Sequence, residues 1–503
     1  GVLITFGENT ASLAGQIVII LNLVLAHGLL IIFLAYWWLF DRRLEKRDRN
    51  LAGVADLFVA PVKGGAVIQL NPGLSSGRAI ADFKITPDGT RVIYLADQYE
   101  DELYELFSVP ITGGASLKLN GPVNGDVKDF IISPDSQRVI YSTTNPAGDT
   151  KKLFRVSAAG GEVPVSLIGD PLDVNAIILD YDISDNSNWV VFRAKPIDYV
   201  EPHLYSIDIH AANNLLDIGE TAGIDTFKIA PLSQRVVYTS ANKLYSVEMG
   251  GSNRLELWST PSTINAYSIT PNSVYVVFKV TLLADSSENL LATPTAVGGI
   301  YYIASELPAG ATIGAFGITP DSERVVYIAD DDANGQSDLF SAPTTAGEII
   351  KLNNALVPGG NVRLFKIAPN NLRVVYLADE VTDNIDELFS TSTMGGEHVR
   401  LNRNPLPANT EVDQFAISPN SQFVVYRSDQ DVLFLDELFS VPLGGGPSIQ
   451  LNAPLIGTGD VDSFKISADS IKIIYLADQE VEAKYELFTS VDAAKIYLPI
   501  TLK

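Results

Sequence analysis

The residues with the plainest chemical potential are carboxylates. Asp330-Asp331-Asp332-Ala333-Asn334-Gly335-Gln336-Ser337-Asp338 fits the first half of a calcium loop, D-x-D-x-N-G. Asp330, Asp332, Asn334 and Asp338 are its candidate metal ligands, because calcium takes six to eight oxygens and a glycine turn brings short acidic side chains together. The bidentate glutamate expected at the twelfth position is missing; Ser341 stands there. Similar acidic loops recur around Asp97, Asp379 and Asp429, which favours a solvated acidic rim over a dedicated site. Histidine occurs four times, at His27, His203, His210 and His398. Their scatter gives no expectation of a histidine-based triad or zinc centre. Gly73-Leu74-Ser75-Ser76-Gly77 matches G-x-S-x-G, but that motif acts only on a strand-to-helix elbow, and no helical pattern follows it. We therefore expect no catalytic residues and no enzyme.

The elements that position these residues are repeats. A phrase close to Phe-x-Ile-x-Pro-[Asp/Asn]-x-x-x-Val-Val-Tyr-x-Ala-Asp occurs nine times, anchored at Phe83, Phe130, Tyr181, Phe227, Tyr267, Phe316, Phe365, Phe415 and Phe464. The fullest copies continue through an acidic loop to Glu-Leu-Phe-Ser-Val-Pro, a Gly-Gly pair and Leu-Asn. Others are degraded: Ser184-Asp185 and Ala468-Asp469 lack the proline, and Pro231-Leu232 lacks the acidic or amide partner. A period of this size denotes a repeat architecture. Within the first copy, Phe83 to Ile85 reads as a strand and Thr86 to Gly89 as a turn. Arg91 to Leu95 reads as a strand covered on both faces. Leu106 to Val109 is a third strand, Gly113-Gly114 a hairpin turn, and Ser116 to Leu119 a fourth strand. Four antiparallel strands per repeat make a propeller blade, which buries its two apolar faces only by stacking on neighbours. The expected fold is all-β: a large β-propeller of about nine four-stranded blades, or two smaller propellers, with one N-terminal transmembrane α-helix. An extra hairpin over 57–71 precedes the first full copy.

The repeated Pro-[Asp/Asn] turn, at Pro87-Asp88, Pro134-Asp135, Pro271-Asn272, Pro320-Asp321, Pro369-Asn370 and Pro419-Asn420, together with the Gly-Gly turn, resembles the TolB-type, WD-like propeller repeats of bacterial exported proteins. The resemblance covers residues 55–503. It departs from TolB at the N-terminus, where a hydrophobic segment replaces an α/β domain, so TolB's partners do not carry over.

That segment, Ile17 to Phe40, carries no charged residue and is followed by the charged run Asp41 to Arg49. Its length suits a membrane-spanning helix, and Tyr36, Trp37 and Trp38 suit an interfacial belt. The expected organisation is a tail over 1–16, a transmembrane helix over 17–41, a charged linker over 42–54 and propeller repeats over 55–503. This makes the chain a single-pass membrane protein of a bacterial cell envelope. The resemblance favours an extracytoplasmic propeller, whereas Arg42 to Arg49 favour the cytoplasm by the positive-inside rule. Expected partners are the lipid bilayer and other membrane subunits or further copies of the chain. His27, beside Gly28, is a candidate ligand for haem or chlorophyll, or a hydrogen-bonding partner for another helix.

Composition excludes one class. The net charge is −25, which repels nucleic acid and anionic lipid headgroups. There is no cysteine, hence no thiol chemistry. The sequence-based expectation is a non-enzymatic, membrane-anchored scaffold subunit. The alternatives are a cofactor-associated subunit of an electron-transfer or light-harvesting complex through His27, and an enzyme with an acidic site in the propeller channel.

Overall fold

A computed structural model describes the backbone of residues 19–23 and 30–34, then residues 56–59 and 68–491 apart from short internal stretches. The described residues are all-β. Nine repeats open on strands at Ile80, Val127, Ile177, Ile224, Ser262, Thr312, Val362, Val412 and Val461. Eight form four-stranded antiparallel sheets in simple sequence order, and the ninth has three described strands. These are the blades of a large β-propeller, numbered here one to nine in chain order. The chain divides into two compact units: Gly1–Ile229 with Gln234–Val236 and Val247–Arg254, and Ala230–Ser233 with Val237–Ser246 and Leu255–Lys503.

The first blade shows why the phrase folds this way. Its strands are Ile80–Ile85, Arg91–Ala96, Glu105–Pro110 and Leu117–Lys118. The second strand is buried along nearly its whole length, as an apolar run covered on both faces should be. Tyr94 lies opposite Phe107 across the second and third strands, and their rings stack at 5.2 Å. The same pair recurs as Tyr376–Phe389 at 5.5 Å and Tyr426–Phe439 at 5.4 Å. Such cross-strand aromatic pairs pin register as well as filling the core. The cores lie between neighbouring sheets: Val326 and Leu339 of blade six pack with Tyr376 and Phe389 of blade seven.

The Pro-[Asp/Asn] turn joins blade to blade. Asp88 accepts from Thr86 Oγ1 at 2.6 Å and from the Thr90 amide at 3.0 Å, while its own amide donates to Ser136 Oγ of blade two at 2.9 Å. The link repeats from Asp135 to Ser187, Asn272 to Ser322, Asn370 to Ser421 and Asn420 to Ser470. The motif therefore encodes stacking as well as a local bend. The extra hairpin pairs Phe58–Val59 with Ile68–Gln69, and Leu57, Val59 and Leu70 pack into the core of blade one.

Within 17–41, the described residues Ile19–Leu23 and Leu30–Leu34 pair as two antiparallel strands, and the rest of the expected transmembrane segment lies outside the described residues. A short run of Ile and Leu satisfies strand and helix equally on periodicity, and β-branching favours the strand. No helix among the described residues is long and apolar enough to cross a membrane. His27 and the linker over 42–54 lie outside the described residues.

Candidate active site on the seventh blade

The acidic loops resolve into architecture. In four blades, the aspartate at or just beyond the end of the second strand accepts the amide of the residue five positions on. Asp97 takes Glu102 at 3.3 Å, Asp330 takes Gly335 at 3.0 Å, Asp379 takes Asn384 at 3.0 Å and Asp429 takes Phe434 at 3.1 Å. Each donor has positive φ, from 61° to 82°. Gly335 therefore serves a left-handed position common to these loops.

The rest of the calcium pattern is also committed. Asp330 receives the Asn334 amide at 3.1 Å, and Asp332 receives the Asn334 side-chain amide at 2.9 Å. Asp338 pairs with Lys351 at 2.6 Å and accepts from Asn353 at 2.7 Å. The four predicted ligands thus bond their own loop and an outer-strand lysine. No cluster of three or more metal-binding side chains forms among the described residues. The Gly73 to Gly77 match lies in a loop ahead of the strand Ile80–Ile85, with Ser76 outside the described residues.

Blade seven differs from blades one, eight and nine around its core tyrosine. In blades one, eight and nine, the core tyrosine donates to a glutamine four residues on: Tyr94 to Gln98 at 2.8 Å, Tyr426 to Gln430 at 3.2 Å and Tyr475 to Gln479 at 3.1 Å. The start of the outer strand in blades one and eight brings Ser116 and Ser448 against the same phenols. In blade seven, glutamine has become Glu380 and serine has become His398. Tyr376 donates to Glu380 Oε1 at 2.7 Å. His398 Nε2 lies 2.5 Å from the Tyr376 hydroxyl and 3.3 Å from Glu380 Oε1. Asn354, which follows the outer strand of blade six, places its side-chain nitrogen 2.7 Å from His398 Nδ1.

With Tyr376 donating to Glu380, its oxygen accepts from His398 Nε2–H, and Nδ1 accepts from Asn354. The bonds run in one direction, from the surface to a buried carboxylate. The Glu380 side chain is 4% exposed and that of His398 15%. The His398 ring stacks on Phe389 at 4.9 Å, which fixes its plane.

Electrostatics reinforce the arrangement. Burial, then the Glu380 charge, pushes the Tyr376 phenol far above its ordinary range, so it stays protonated and keeps donating. Glu387 and Arg400, on adjacent strands of the same blade, pair at 2.8 Å. Burial raises the Glu387 carboxyl, with Arg400 opposing and Glu380 and Asp379 adding to the rise. Burial lowers the Arg400 guanidinium, which Glu387 and Glu380 offset. Asp386 is pushed up to about 6, chiefly by burial; Arg363 opposes this, and Glu411 and Asp379 add to it.

Sequence reasoning passed over Tyr376, Glu380 and His398. The available signal was the alignment of the copies upon one another, in which Glu380 and His398 are coordinated departures from glutamine and serine.

No family model and no curated protein matches the sequence. Solved structures with similar folds include the Porphyromonas gingivalis dipeptidyl peptidase 4, at 11% identity and a TM-score of 0.49, over 74% of this chain and 59% of that one. An oligogalacturonate lyase in complex with manganese aligns at 11% identity and a TM-score of 0.36, over 61% of this chain and 87% of that one. The tricorn protease aligns at 15% identity and a TM-score of 0.28, over 97% of this chain and 45% of that one. This chain thus spans little more than half the length of the peptidase. At these identities the likeness is one of fold alone. The neighbours carry enzyme names, against the expectation of a non-enzymatic scaffold; the fold itself hosts catalysis and binding alike.

Proposed function

We propose that the chain is an acid–base enzyme with its site on blade seven, where His398 activates water for hydrolysis. The observation that carries this reading is the one-directional chain of hydrogen bonds from Asn354 through His398 and Tyr376 to Glu380. Histidine is the side chain suited to gain and lose a proton near neutrality. His398 takes a proton through Nδ1 when the Asn354 amide gives way. Its Nε2–H stays on the Tyr376 oxygen, and the Glu380 carboxylate offsets the imidazolium charge. Tyr376 holds the two together without titrating. Asn354 and Glu380 are positioning residues in this scheme; His398 meets the reacting water.

The test is hydrolysis of p-nitrophenyl acetate by the wild-type chain and by His398→Gln, with thermal unfolding recorded in parallel. A positioned general base contributes roughly 10²- to 10⁴-fold, so kcat/KM should fall by about that factor while the unfolding midpoint stays put. Equal rates for the two proteins would overturn the reading, as would a wild-type rate no greater than that of buffer.

The repeat itself we read as TolB-type. Support comes from the Pro-[Asp/Asn] turn, whose amide-to-serine link binds successive blades.

A further inference from the structure

The hairpin ahead of blade one is built as the outer half of a blade. Asp56-Leu57-Phe58-Val59-Ala60-Pro61, Gly64-Gly65 and Leu70-Asn71 match Glu105-Leu106-Phe107-Ser108-Val109-Pro110, Gly113-Gly114 and Leu119-Asn120 of blade one at a constant spacing. The hydrogen bonds match as well. The Leu57 amide donates to Asn71 Oδ1 at 2.6 Å, as that of Leu106 does to Asn120 Oδ1 at 2.8 Å. The Leu70 amide donates to the Leu57 carbonyl, as that of Leu119 does to the Leu106 carbonyl. Leu57 and Leu70 pack with Tyr94 in the core of blade one, and Leu106 and Leu119 pack with Tyr141 in that of blade two. Phe58–Val59 and Ile68–Gln69 are therefore the counterparts of a third and a fourth strand. They form a two-stranded sheet where blades one to eight have four strands.

Two further strands lie beside this half-blade. Ile19–Leu23 and Leu30–Leu34 pair antiparallel, and Cα atoms of Leu30–Leu34 come within 8 Å of those of Phe58–Val59. The chain order is that of a blade, first to fourth strand. The sequence agrees: Ile31-Ile32-Phe33-Leu34 follows the pattern of Val92-Ile93-Tyr94-Leu95. Ile20 stands opposite Phe33 and Leu21 opposite Ile32, as Phe83 stands opposite Tyr94 and Lys84 opposite Ile93. A second strand covered on both faces calls for an apolar run, and Ile17 to Phe40 carries no charge. The connection over 35–55 is longer than its counterpart over 97–104, which costs little because loop-closure entropy grows slowly with length.

We infer that the apolar N-terminal hairpin is the inner half of an additional blade, docked on the outer half over 57–71, and that its partner is this chain rather than a lipid bilayer. Two strands alone are marginal in water, whereas three or more with a covered apolar face are stable. Joining the halves gives each what it lacks. By the register of blade one, Phe33 then lies opposite Phe58 and Ile32 opposite Val59, as Tyr94 lies opposite Phe107 and Ile93 opposite Ser108.

The chain has no cysteine, so an introduced pair can link only to itself. The test makes the full chain with Ile32→Cys and Val59→Cys, and as a control with Ile93→Cys and Ser108→Cys, which face each other in blade one. Both are oxidised and resolved by non-reducing electrophoresis. In parallel the wild type is mixed with phosphatidylcholine vesicles and floated on a density gradient. The expected result is a disulfide within one chain for both pairs, because opposed residues on neighbouring strands lie within disulfide range, and a wild type that stays below the vesicles. A disulfide between two chains at positions 32 and 59 assigns the half-blade to a second copy and overturns the inference. So does a wild type that floats, or an unlinked Ile32–Val59 pair beside a linked control. Should either variant fail to fold, or both pairs stay unlinked, hydrogen exchange of the wild type in vesicle-free buffer decides. Amides over 30–34 as protected as those over 91–96 support the inference, and amides that exchange as in an open chain overturn it.

Discussion

Blades seven and eight share one loop design, and three of the side chains in which they differ stand out. Asp379 and Asp429 close the loops through the same amide bonds. Asp386 and Asp436 occupy the same place and are both pushed up to about 6 by burial. Against that constant frame, Glu380 faces Gln430, His398 faces Ser448 and Asn384 faces Phe434. The shared residues satisfy backbone amides and fill cores, and a blade cannot change them cheaply. The divergent residues lie where the frame tolerates change, and one blade has acquired a titratable chain while its neighbour has acquired an apolar tip. In a repeat protein, chemistry is found by what the copies do not share.

The frame is the larger energetic quantity. Asp429→Ala leaves the amides of Glu411 and Phe434 without their carboxylate. Because hydrogen bonds to charged groups contribute about 1.5–3 kcal/mol each, denaturant unfolding should show a loss of about 3 kcal/mol. A loss below about 0.5 kcal/mol would mean that water replaces the carboxylate and that the frame is not what the copies share.

Asp386 adds a dependence on pH. Its folded-state value is raised from 3.8 to about 6, so the folded chain binds more protons than the unfolded one between those limits. Its contribution is fully present below pH 4 and is lost as pH rises through about 6. The loss is on the order of 2 kcal/mol, given a partly buried carboxyl. Asp386→Asn should remove this slope, read as unfolding midpoints across pH 4–7. An unchanged slope would assign it elsewhere, with Asp436 the next group to substitute.

Much of the architecture was legible in the sequence. The Pro-[Asp/Asn] and Gly-Gly turns fix where strands end, and the tyrosine-centred runs fix which strand is buried on both faces. Over 17–41, apolar content marks burial without choosing between helix and strand, and the described stretches there are strands. The D-x-D-x-N-G run is ambiguous in sequence because aspartate and glycine answer two needs alike, ligating a cation and closing a left-handed loop, and the second need is met in this loop. The site on blade seven was hidden for a different reason. Glu380 and His398 lie eighteen positions apart in sequence, and they meet only because the outer strand pairs with the third, from which the His398 ring reaches past Phe389 to the Tyr376 hydroxyl on the second.

The decisive measurement converts blade seven to the pattern of blade eight. The double variant Glu380→Gln with His398→Ser recreates the tyrosine–glutamine–serine arrangement on which blades one and eight already fold, so stability should hold. The account predicts that hydrolysis of p-nitrophenyl acetate falls to the buffer rate at an unchanged unfolding midpoint. Retention of the wild-type rate in that variant would contradict it.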